Sequence, residues 1–156
     1  MTTIAFDGKH IAGDTAHWAG DVLGWLQDKL HVIQNEYETI AVFGSAGNYS
    51  EGLNLSEWLP KLLYGEKLEP RPDSEDWQAL VIDLRTETPY LLSPDMILAP
   101  CAAPMAIGAG YATALAAMRS GKNAVQAVQL CCDTTAYTAG PVTSYNVKKR
   151  RYEMEL

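Results

Sequence analysis

Asp7-Gly8 constrains the start of this chain more tightly than any other dipeptide in it. An Asp-Gly pair between apolar runs is the strongest short-range hairpin signal, because such a turn needs backbone conformations that few residues tolerate. Thr3-Ile4-Ala5-Phe6 lies before it and Lys9 to Gly13 after it, so two paired strands are predicted at the very start. Met1 is followed by Thr2, a small residue of the kind that follows a removable initiator Met. Removal would leave Thr2 with both a hydroxyl nucleophile and an α-amine able to act as its base. A hairpin start carries no chemistry by itself, and the rest of the chain has to decide between the two.

The 156 residues suffice for one domain, 1–156, with a sizeable core. Twelve Lys and Arg against 19 Asp and Glu give net −7, which argues against nucleic acid and anionic membrane surfaces as partners. No apolar run reaches the length of a membrane span, and the start lacks the basic-then-apolar pattern of a signal peptide. Cys101, Cys131 and Cys132 are odd in number, and the last two are adjacent. That is no disulfide framework and suggests a reducing, cytoplasmic setting. His10, His17 and His31 show no metal-ligand spacing with the Cys residues.

Thr15 to Gln27 is mixed in character and reads as an irregular loop with Trp18 and Trp25 as anchors. Lys29–Ile33 and Thr39–Phe43 are strand candidates joined by a polar turn. Gly44-Ser45-Ala46-Gly47-Asn48 leads into a helix whose Leu55, Trp58, Leu59 and Leu62 share one face. Pro60 is easiest to place if that helix restarts near Ser56. Gly65 to Asp76, with two Pro and five acids, is expected to be an exposed loop. Trp77–Leu84 and Pro89–Leu92 suggest a second hairpin, and Met105-Ala106-Ile107 a short strand. Two helices follow, about Gly110–Ser120, stopped by Gly121, and a second one capped by Asn123. Pro141–Asn146 and Arg151–Glu155 are the last strands, around the basic turn Lys148-Lys149-Arg150. Strands grouped apart from helices point to two sheets with helices outside, an α+β plan.

This order of motifs resembles the proteasome β-subunit family, most closely its bacterial branch, the peptidase partner of the two-component ATP-dependent protease. The residues that carry it are Thr2-Thr3-Ile4, Ala12-Gly13-Asp14, Lys29, Gly44-Ser45-Ala46-Gly47, Ala106-Ile107-Gly108-Ala109-Gly110 and Cys132 to Thr138. The likeness spans nearly the whole chain. It implies a four-layer αββα sandwich of two antiparallel sheets, the N-terminal nucleophile hydrolase fold. It also implies hydrolysis of peptide bonds by an N-terminal Thr, in a homo-oligomeric ring that takes peptides or unfolded protein, with an ATPase unfoldase as a possible partner.

On this resemblance Thr2 supplies the nucleophile, and its amine, ordinarily titrating at about 7.7–8.0, the base. Lys29 matches the family's active-site Lys, and Asp14 the acid that holds it. Without the resemblance, Lys29 would be a solvated strand-start charge and Asp14 a turn residue. The Gly44 N–H is the candidate oxyanion donor, a role compatible with Gly serving a tight strand-to-helix turn. Val42 would then lie near the pocket for the residue before the cut and favour apolar side chains. No cofactor is required; the carbonyls of Cys132, Thr135 and Thr138 match those that hold a Na or Mg ion in the bacterial branch.

Three departures stand out. Ala109 replaces the family's Ser in the Gly-Ser-Gly turn, Thr135 stands where eukaryotic and archaeal subunits keep Asp, and the layer after Asn48 looks one helix short. A catalytically inactive, oligomeric structural protein is therefore the alternative, and an N-terminal amidase acting on a small amide ranks behind it. A dinucleotide loop at Gly108-Ala109-Gly110 fails because Thr113 occupies the third Gly position. Gly44 to Gly47 lacks the Gly-Lys-Ser/Thr of a phosphate loop.

Overall fold

Two five-stranded antiparallel sheets stack face to face in the computed structural model, which describes residues 1–47, 49–70 and 76–156, without the side chains of 49–53. The first strands are β1 (Thr3–Phe6) and β2 (His10–Gly13), paired across Asp7-Gly8 as predicted. Asp7 fixes the turn by accepting from the Lys9 and His10 N–H groups, and Gly8 takes φ 100°. β10 (Met105–Gly108) flanks β1, while β11 (Thr143–Asn146) and β12 (Arg151–Met154) extend the sheet beyond β2. The second sheet holds, in order, β5 (Leu30–Gln34), β6 (Thr39–Gly47), β7 (Trp77–Asp83), β8 (Thr88–Leu92) and β9 (Ala99–Pro100).

Strand alternation sorts the side chains into three cores. Ile4 and Phe6 of β1 point between the sheets, where they meet Ile11, Leu30, Val42, Leu80, Ile82 and Ile107. Ala5 of the same strand faces the other way, with Ala12 and Ala106. These small residues let two helices lie close on that face: α2 (Tyr111–Arg119) and α3 (Ala124–Thr134). Asn123 caps α3 reciprocally with Gln126, and Asp7 accepts from the Ala124 N–H, tying the first turn of the chain to that helix. On the outer face of the second sheet, α1 (Tyr49–Leu63) seats Leu55, Trp58, Leu59 and Leu62 over Phe43, Ala79 and Val81. Helix, sheet, sheet, helix: the four-layer αββα plan expected from the sequence is the one observed.

Three expectations are corrected. Thr15–Gln27 is not an irregular loop but a third hairpin, β3 (Ala16–Ala19) and β4 (Val22–Leu26), turning at Gly20-Asp21 with Gly20 at φ 63°. The helix around Pro60 does not restart near Ser56; α1 runs unbroken through it, and the Pro60 carbonyl accepts from the Tyr64 N–H. A mid-helix Pro costs about 3 kcal/mol, which the four buried side chains of α1 offset. Gly44 is not the turn residue, because β6 continues to Gly47, and Gly47, at φ 103°, makes the turn. Asn48 and residues 71–75 of the expected acidic loop lie outside the described residues.

Candidate active site

Three chain segments end at one place. Thr2 precedes β1, Asp14 follows β2 and Lys29 precedes β5, so hairpin closure and sheet stacking bring the three side chains together. All three are enclosed: Asp14 has no exposed surface, Lys29 4% and Thr2 7%. Lys29 Nζ lies 3.0 Å from Asp14 Oδ1 and 3.1 Å from Oδ2, 3.0 Å from Thr2 Oγ1 and 3.1 Å from the Met1 carbonyl. An ammonium has three protons, so the carboxylate takes one as a shared pair and the other two reach Thr2 and Met1.

An unpaired charge at this depth would be costly, and the surroundings balance it. The Thr3 N–H donates to Asp14 Oδ1 at 3.0 Å and the Ala139 N–H to Oδ2 at 3.4 Å. Burial pushes the Lys29 ammonium below its ordinary pKa, against the pull of Asp14. Burial likewise raises Asp14, against the pull of Lys29 and the two N–H groups. The Met1 amine is lowered, first by partial burial and then by the Lys29 charge. The site thus sets the Thr2 hydroxyl where it accepts from the buried Lys29 ammonium, whose charge also lowers the pKa of the Met1 amine.

The backbone around Thr2 is held as closely. Its carbonyl accepts from the Ala109 N–H at 2.6 Å, and a Cβ on Gly108 (φ 92°) would fall on that same carbonyl. Only Gly fits there. Thr3 is a site residue that the sequence reading did not assign. Besides holding Asp14, its Oγ1 accepts from the Gly110 N–H at 3.1 Å and lies 2.9 Å from Thr138 Oγ1. No motif in the sequence marked Thr3 as the residue that braces Asp14 and Gly110. Ala109 contributes only its backbone, and its methyl offers no hydroxyl.

Gly44 lies opposite Leu30 across β5 and β6, one residue from Lys29. Its missing Cβ makes room for Ile4, whose Cδ1 and Cγ2 would stand 2.9 Å from such an atom. Val42 does not line a pocket: it is fully enclosed in the core between the sheets. Cys131 and Cys132 lie near the site, but burial raises both thiols, Cys132 to about 11. Neither is a thiolate at neutral pH. His17, lowered to about 4 mainly by burial, is a neutral ring stacked on Trp25.

Cys132 is in the last turn of α3, Thr135 is its C-cap, and Thr138 is buried in the segment before β11. Carbonyls of Leu130, Cys131, Ala139, Gly140 and Pro141 accept hydrogen bonds there. Among the described residues, none of these hydrogen bonds goes to the carbonyls of Cys132, Thr135 or Thr138. No group of three or more His, Cys, Asp or Glu side chains suited to a metal occurs among the described residues. No helix among them is long and apolar enough to cross a membrane.

The four-layer sandwich, with β1 buried inside it, is proteasome-like in fold. The solved structure of Thiobacillus denitrificans BPH in complex with epoxomicin superposes with a TM-score of 0.62, covering 92% of this chain and 96% of that one, at 17% sequence identity. At that identity the likeness is one of fold. No protein-family model matches the chain, and no curated protein sequence does.

Proposed function

We propose that this chain is a threonine-type peptidase, activated when Met1 is removed and Thr2 becomes the first residue. The observation that carries the proposal is the buried Lys29 ammonium, 3.0 Å from both Thr2 Oγ1 and Asp14 Oδ1. The Thr2 hydroxyl attacks a peptide carbonyl and passes its proton to its own amine. Lys29 stabilises the developing oxygen charge. The carbonyl–nitrogen bond breaks, the amine leaves with the proton, and an ester to Thr2 remains. Water then hydrolyses the ester, with the same amine as base. While Met1 is attached that nitrogen is an amide and takes no proton, so the site is latent.

The likeness in sequence motifs to the bacterial two-component protease extends the proposal. The chain would work in a homo-oligomeric ring on peptides or unfolded protein, with an ATPase unfoldase as partner. Carbonyls of Cys132, Thr135 and Thr138 would hold a Na or Mg ion that fixes the end of α3 beside Thr3. The test is the intact mass of the purified protein, then incubation with epoxomicin, the compound bound in the BPH structure. Loss of the Met1 mass and a covalent adduct mapped to Thr2 support the proposal; a mature Thr2 terminus that forms no adduct opposes it. Ala109 favours a second reading, an inactive oligomeric structural protein, because no hydroxyl is present at that position to hold the Thr2 amine.

A further inference from the structure

The β3–β4 hairpin pairs with neither large sheet. It leaves the sandwich between Asp14 and Lys29, anchored by Thr15 and Ala16 N–H bonds to the Ala139 carbonyl and by Trp18 set edge-on to Tyr137. Every residue of β4 is exposed, and Val22, Leu23, Trp25 and Leu26 are 69%, 47%, 44% and 44% exposed. Neighbours along a strand point to opposite faces. A register shift between His17 and Trp18 interrupts that alternation in β4, so Val22 and Trp25, opposite Ala19 and His17, project from one side of the hairpin, and Leu23 and Leu26, opposite Trp18 and Ala16, from the other. A two-stranded hairpin is marginal alone in water, and one that is apolar on both sides lacks a solvent face.

The same chain carries a receptor for such an element. β10 is the outer strand of its sheet and stacks over β6 and β7. α2 packs on it, and Leu91 of β8 lies at the same place. Between them is a cleft of about 370 Å³ lined by Gln78, Leu91, Met105, Ile107, Tyr111 and Leu115, floored on one side by the unpaired edge of β10. The hairpin stands beside β2, β11 and β5, on the other side of β1 from this cleft.

We infer that the hairpin of one copy seats in the β10 cleft of the next. This deepens the homo-oligomeric part of the proposed function and rests on it. Two different surfaces meet, so the contact is head-to-tail, and repeated rotation closes a ring without a second interface type. The area agrees with a partial interface. With an aromatic side chain burying ~150–250 Å², the four β4 side chains offer on the order of 400 Å². That is roughly half of the ~800 Å² each partner gives a standard interface, so the flanking surface supplies the rest. Because the hairpin begins and ends at the catalytic ion pair, seating it also braces Asp14 and Lys29 from outside.

Light scattering on the wild-type chain and on Leu23→Asp/Trp25→Asp comes first, with circular dichroism to check folding. An oligomer that becomes a folded monomer in the variant is expected. Independently, chains with Leu23→Cys and chains with Tyr111→Cys, both exposed positions, are oxidised alone and mixed. A disulfide-linked dimer in the mixture, absent from either alone, is expected. A wild-type monomer overturns the ring reading and this inference together. A wild-type oligomer that the double variant leaves intact, or a Leu23→Cys chain that crosslinks to itself, overturns this inference and leaves the ring standing.

Discussion

Replacing Lys29 with Met keeps most of the side chain's length and deletes the charge that Asp14 faces at 3.0 Å. Asp14, with no exposed surface, would be left with the N–H groups of Thr3 and Ala139 as donors. Removing one partner of a buried pair costs about 3–5 kcal/mol, a large share of the 5–15 kcal/mol that stabilises a typical domain. Protonation of Asp14 relieves part of that cost. Burial already raises its pKa, and Lys29 is the largest influence holding it down. Without Lys29 the folded-state pKa climbs further, while the unfolded value stays near ~3.9. A folded pKa above the unfolded one favours folding below the unfolded pKa, and that benefit is lost as pH rises through the folded pKa. Lys29→Met is therefore expected to sit closest to wild type near pH 4 and furthest below it at about pH 7, the gap opening by up to ~1.4 kcal/mol per pH unit. Urea denaturation across that range measures it. A deficit under ~1 kcal/mol at neutral pH, or one that does not vary with pH, would refute the buried charged pair.

Other outcomes follow from single contacts. Gly44→Ala should cost about 1–3 kcal/mol by overpacking against Ile4, and in Ile4→Ala it should cost much less; equal losses in both backgrounds, by denaturation, would remove the packing explanation. Asn123→Ala loses a reciprocal cap, worth about 1 kcal/mol and roughly 2–4 °C in Tm for a chain of this size. Ala109→Ser restores a hydroxyl beside the Thr2 backbone; if the chain is a peptidase, kcat on a fluorogenic peptide should rise about tenfold, the worth of one hydrogen bond, and an unchanged kcat would count against a missing amine contact.

The elements most legible in the sequence were those with local punctuation. Asp7-Gly8 announced the first hairpin, and Asn123 with Gln126 announced the start of α3. Asp14 and Lys29 could be paired only through the resemblance, since 15 residues separate them and no spacing rule joins the ends of different strands. The β3–β4 hairpin was missed although Gly20-Asp21 between apolar residues is a turn signal. Its strands expose apolar side chains on both faces, and the alternation that marks a half-buried strand is absent. Pro60 misled for the opposite reason: a local rule gave way to tertiary burial of α1. Gly44 looked like a turn residue because sequence shows that a side chain is missing but not which neighbour fills the space, here Ile4.

The central claim is that Thr2 attacks and deprotonates itself once its nitrogen is free. Its most direct test is turnover of a fluorogenic peptide by chains prepared to begin at Thr2, at Met1, or at Thr2→Ala. The account predicts hydrolysis by the first alone. Equal turnover by the form that keeps Met1, or by Thr2→Ala, would contradict it.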